Sequence, residues 1–142
     1  MPSGTLDASL TTIHDSPILS CAVLVNKLML STSMSGQMVL SDLMGNVLDK
    51  RRDHTKYIVH ITTFHDADGF WVATAGWDAK VHVYKIASSA DAMPSNQIGA
   101  PSASITLSSN PESILFIPHP DSAQPILIVT RRDSTFLYYY TT

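Results

Sequence analysis

An all-β repeat fold is what this 142-residue sequence predicts, and three observations predict it. One spacing is kept three times: Ser35 stands six residues before Ser41, Asp78 six before Tyr84, and Asp133 six before Tyr139. Upstream of each pair, His14, His54 and Asn110 each stand four residues before an isoleucine that opens an apolar run, Ile18, Ile58 and Ile114. Finally, short runs of β-branched and aromatic residues recur between Gly, Asn, Asp and Pro, with no sustained face of period 3.6. Three copies of one strand template imply a propeller or solenoid built from a repeated supersecondary unit.

The first unit, residues 13–53, reads as four strands. Residues 18–25 are rich in β-formers and end at Asn26-Lys27, and residues 28–32 alternate with small hydroxyl side chains. Ser35-Gly36 turns the chain into 37–43, and Gly45-Asn46 turns it into 47–51. The second unit, residues 54–108, has a strand at 57–64, a polar turn at 65–69, a strand at 70–75, a turn at 76–79 and a strand at 80–86. Residues 87–101, ASSADAMPSNQIGAP, are rich in Ser, Ala and Pro and read as a surface loop inserted before a fourth strand at 102–108. The third unit, residues 109–142, supplies strands at 113–117, 125–130 and 136–140 and stops short of a fourth. Residues 5–12 align with the fourth-strand segments that precede His54 and Asn110, so they are expected to form the outer strand of a closing blade.

These positions resemble the WD-repeat β-propeller family, whose repeats carry a His before the first strand, a Ser or Thr in the second, an Asp in the next turn and an aromatic in the third. The resemblance implies an incomplete WD-type propeller of about three four-stranded antiparallel blades, the last without its outer strand. Carried over position by position, it implies a structural hydrogen-bond relay in blade two from His54, Thr74, Asp78 and Tyr84, with Tyr in place of the family's usual Trp. Blade three keeps Asp133 and Tyr139 but has Asn110 and Val129 at the His and hydroxyl positions. Blade one offers His14, Ser31, Ser35 and Ser41, lacking the Asp and the aromatic, so a weaker relay is expected there. In such a relay the carboxylate accepts from the imidazole and the hydroxyl links the ring to the aromatic donor. The dipeptide Trp77-Asp78 is out of register with the family's namesake dipeptide, which aligns with Ser41-Asp42, Tyr84-Lys85 and Tyr139-Tyr140. The same register implies that Met34, Trp77 and Arg132 project onto the narrow upper face, with Tyr57 beside them. Trp, Tyr and Arg are the side chains most enriched at interaction hot spots, so these four residues form the expected protein-binding face.

Little else in the sequence carries chemistry. A net charge of -3 offers no basic field for a phosphate backbone, so nucleic acid is not an expected partner. Cys21, the sole cysteine, falls in an apolar run and reads as a buried structural thiol. The first ten residues lack a signal-peptide pattern and the longest apolar stretch is broken at Asn26-Lys27, so a cytoplasmic or nuclear location is expected. His60, His65, His82 and His119 lack metal-ligand spacing, and Asp66-Ala67-Asp68-Gly69 lacks the later ligands of a calcium loop, so no metal or cofactor is expected. No phosphate loop, nucleophile elbow or placed carboxylate pair is visible, which puts an enzyme third among the functions. A phosphoinositide- or membrane-binding propeller ranks second. Its only basis is the basic clusters Lys50-Arg51-Arg52 and Arg131-Arg132, which are followed by Asp53 and Asp133 and read as salt-bridging. A non-catalytic protein-interaction scaffold leads. Since closed propellers have at least four blades, the chain is expected to be part of a longer WD-repeat protein, or to pair with a second copy through unpaired edge strands.

Overall fold

The computed structural model describes residues 13–24, 28–66, 69–87, 97–131 and 135–139. Among these residues, eleven strands make three antiparallel sheets in strict chain order. Blade one holds β1 (Ile18–Leu24), β2 (Leu28–Ser33), β3 (Met38–Asp42) and β4 (Val47–Arg51). Blade two holds β5 (Ile58–Asp66), β6 (Gly69–Gly76), β7 (Lys80–Ala87) and β8 (Ala103–Thr106). Blade three holds β9 (Pro111–Ile117), β10 (Ile126–Arg131) and β11 (Thr135–Tyr139), so among the described residues it is a three-stranded meander with β11 at its edge. The first strands of the three blades neighbour one another, β5 lying between β1 and β9. This is the open arc of a propeller, inner strands together and later strands fanning outward.

Side-chain alternation decides which faces meet. On β6, Phe70 and Val72 point to one side, where they join Tyr84 and Ile86 of blade two and Leu24, Leu30, Met38 and Leu40 of blade one. The residues between them, Trp71, Ala73 and Ala75, join Val81 and Val83 and meet Ile114, Phe116, Leu127 and Val129 of blade three. Both faces of blade two are therefore apolar and covered, which is why β6 is buried along its whole length. Trp71, fully buried, satisfies its indole N–H by donating to Asp66 Oδ2 at 2.6 Å, and Lys85 Nζ lies 4.8 Å over its ring. The other Asp66 oxygen accepts the Gly69 N–H at 2.9 Å, so this carboxylate closes the hairpin.

Two expectations are corrected. Cys21 is exposed, because Leu19, Cys21 and Val23 lie on the side of β1 away from blade two, while Ala22 and Leu24 pack against it. The segment before β8 is not wholly a surface loop: Ile98 is buried between blades one and two, and its N–H donates to Asp49 Oδ2 on β4 at 2.8 Å. The closing strand expected at residues 5–12 lies outside the described residues.

Candidate functional site

The end of blade two that carries the β6–β7 turn is tied together by one carboxylate. His54 Nδ1–H donates to Asp78 Oδ1 at 2.9 Å and sits 3.1 Å from Oδ2, and since a carboxylate only accepts, the proton must be on Nδ1. In the neutral ring Nε2 then accepts from the Thr74 hydroxyl at 2.8 Å. Asp78 also accepts the backbone N–H groups of Thr55 at 3.0 Å and Lys80 at 3.2 Å. Burial opposes the charged form of Asp78, but these bonds outweigh it and hold the carboxyl below its ordinary pKa. Gly76 is required here, since a Cβ at that position would strike the His54 ring and the Asp78 carboxylate. The chain Asp78, His54, Thr74 has the connectivity of a hydrolase relay, but its Thr74 hydroxyl is fully buried within β6.

Besides the Thr74 hydroxyl, which acts on its phenol, Tyr84 engages a carboxylate outside the repeat register. Its hydroxyl donates to Asp53 Oδ2 at 2.7 Å, and Asp53 is also gripped by Arg51 through Nε at 2.8 Å and a terminal nitrogen at 2.9 Å. Burial first and Asp53 second push the Tyr84 phenol far above its ordinary pKa. Arg51 is the largest cause holding Asp53 below the usual carboxylate range. A second histidine joins. His82 stacks edge-on against His54 with ring centroids 4.5 Å apart, donates from Nε2 to the Asp53 carbonyl at 3.2 Å, and accepts through Nδ1 from Ser104 at 2.7 Å. Burial, then the neighbouring His54, lowers the His82 pKa. Neither Asp53 nor His82 was singled out by the repeat register. The usable signal was the Tyr at position 84, because a phenol reaches further than an indole N–H and needs an acceptor of its own.

Blade one repeats the frame without the fastening. His14 Nε2 meets Ser31 Oγ at 2.7 Å, but His14 Nδ1 and Ser41 Oγ are buried without a well-formed hydrogen bond, the Gln37 side chain being the neighbour that acts on His14. Blade one has Ser35 and Ser41 at the repeat positions where blade two has Asp78 and Tyr84. Ser35 instead donates to Asp15 at 2.8 Å, which in turn is bridged by Arg52 at 2.6 Å.

One backbone bond recurs in both blades. Trp77 N–H donates to the Tyr57 carbonyl at 2.9 Å, and Met34 N–H donates to the Pro17 carbonyl at 3.0 Å, each acceptor lying three residues after its histidine. That bond brings Tyr57 and Trp77 together as a stacked pair, centroids 5.4 Å apart and rings 27° from parallel. They remain 38% and 49% exposed. Met34 is half-buried, whereas Arg132 and Asp133 lie outside the described residues and Tyr139 is described only as the β11 partner of Ile126. Of the basic clusters, Arg51 and Arg52 are paired with Asp53 and Asp15, and Arg131 contacts Ser108. Among the described residues, no group of His, Cys, Asp and Glu is arranged to hold a metal ion.

The family model described as UCP007778, beta-propeller domain, matches residues 6–142. The chain belongs to that beta-propeller family. This propeller is similar in structure to the WD40 β-propeller domain of Doa1, with a TM-score of 0.63 at 20% identity over 88% of the chain. It is also similar to the β-propeller domain of Myceliophteria thermophila Cps50 (Swd1), with a TM-score of 0.61 at 16% identity over 90% of the chain. It spans 37% and 38% of the length of those two structures. The fold is therefore a partial propeller of WD40 type. No curated protein matches the sequence.

Proposed function

We propose that this propeller is a non-catalytic protein-interaction scaffold and that the Trp77–Tyr57 pair is the centre of its binding face. The observation that carries the reading is the exposed aromatic stack whose two residues are joined by a backbone hydrogen bond. Two large rings left in water cost free energy that a partner recovers, and their fixed geometry spares the partner the cost of ordering them. The burial of Thr74 supports the non-catalytic part, because no substrate reaches its hydroxyl while β6 stays packed. The pairing of Arg51 and Arg52 with carboxylates weighs against a lipid-binding role. We further read the chain as part of a longer propeller, since among the described residues blades one and three each have a neighbouring blade on one face only.

The test compares partners recovered with the intact chain and with Trp77→Ala and Tyr57→Ala variants whose thermal unfolding is unchanged. Loss of specific partners by both variants is expected. An unaltered partner set refutes this face as the interface. Liposome flotation that depends on Arg131 and Arg132 would favour the lipid reading instead.

A further inference from the structure

We propose that the upper face of blade two docks a carboxylate-rich peptide segment, laying an aromatic or aliphatic residue on the Trp77–Tyr57 stack and its acidic side chains against Lys56 and Lys80. The inference rests on the interface reading above and adds the chemistry of the partner.

Charge bookkeeping at this end of the blade carries it. Among the described residues, Asp15 and Asp78 are the carboxylates at this end of blades one and two and both are engaged, as is Glu112 at the blade-three position that matches Lys56. Asp78 is held by His54 and by the N–H groups of Thr55 and Lys80, and Asp15 is held by Ser35 and Arg52. Arg52 is neutralised by the same Asp15. Lys56 and Lys80 are exposed and have no salt bridge among the described residues. Lys56 adjoins Tyr57, and Lys80 opens β7 just beyond the turn that bears Trp77. The aromatic pair is thus flanked in the sequence by two exposed lysines that have no salt bridge among the described residues, while the carboxylates described at this end are engaged. Such a surface favours an acidic segment and repels a basic one. It is also rigid, because the turn is fastened to the loop before β5 through Trp77 N–H, Thr55 N–H and the His54 ring.

The probe is a phage-displayed library of random linear peptides, selected on the 142-residue chain at low salt. Enriched sequences are expected to combine Asp or Glu with an aromatic or aliphatic residue. A synthetic peptide from that pool is expected to lose about tenfold in affinity on Lys56→Glu with Lys80→Glu, to weaken as salt rises, and to lose binding with Trp77→Ala. Peptides that need Trp77 but show no acidic bias, or bind the double lysine variant equally well, overturn the acidic-partner assignment and leave the interface reading standing. Selection that yields nothing, or only peptides indifferent to Trp77 and Tyr57, overturns both. Flotation on phosphatidylserine vesicles that is abolished by the same lysine changes, with no acidic peptide enriched, assigns the two lysines to lipid headgroups and overturns the peptide assignment. Circular dichroism of each variant separates loss of binding from loss of fold.

Discussion

Asp78 satisfies the imidazole N–H of buried His54 and two backbone N–H groups of exposed residues at once, so removing it orphans one buried donor. Asp78→Ala is expected to cost about 1–3 kcal/mol in chemical denaturation, the range for stranding a buried donor. Ser35→Ala, at the matching position in blade one, removes exposed hydrogen bonds to Asp15 and Arg52 and a part-buried one to Ser33 Oγ but strands no buried imidazole, and is expected to cost less than Asp78→Ala. Equal effects would mean the two positions are not equivalent. His14 Nδ1, buried without a well-formed hydrogen bond, makes the converse experiment informative. Ser35→Asp in an Asp15→Asn background, which avoids setting two carboxylates side by side, is expected to stabilise blade one by about 1 kcal/mol. The pH dependence follows from the same side chains. Burial lowers the folded-state pKa of His14 and His82 below the ordinary 6.5. Their contribution is therefore fully present above that value and is lost as pH falls below it, because the unfolded chain takes up protons first. Asp53 and Asp78, depressed below 3.8, add a second loss as pH falls below that value. Urea midpoints across this range are expected to decline in two stages, and His82→Gln is expected to shallow the first.

Strands were legible because alternation and turn residues are local properties of the chain; β4 spans 47–51 as read, and most other strand ends shift by one or two residues. The relay members His54, Thr74 and Asp78 were legible through the resemblance to WD repeats, with the kept spacing marking His54 and Asp78 as equivalent positions of a repeated unit. What escaped reading depends on contacts between blades. Cys21 lies in an apolar run, but whether it is buried depends on which side of β1 has a neighbour. Gly36 resembles any turn glycine, yet a Cβ on it would strike the His54 carbonyl of the next blade. Ile98 sits in a stretch whose composition says loop, and its burial follows from the groove that blades one and two create. Ile98→Ala is therefore expected to cost about 2–5 kcal/mol, the range for emptying a buried aliphatic site. A thermal shift no larger than that of a surface substitution would show that the segment does not pin the two blades.

At the scale of the molecule, the arc leaves apolar side chains exposed among the described residues. Leu19, Val23 and Val47 are exposed on blade one and Leu115 on blade three. Light scattering at rising concentration is expected to report association or aggregation of the isolated chain, and a monodisperse monomer would exclude a ring closed by two copies. Blade two differs from its neighbours in being covered on both faces, and the difference reaches beyond equilibrium stability. Its strands pair only with sequence neighbours, so it can form early with little loop-closure cost, and the flanking blades then condense onto surfaces it provides. Opening should run in reverse, from the two flanks inward. Native-state hydrogen exchange is expected to find the slowest amides in β6 and β7 and progressively faster ones in β1, β4 and β11. Seen this way, the middle blade is a folding template, and the proposed binding face at its tip would be among the last parts of the molecule to come undone.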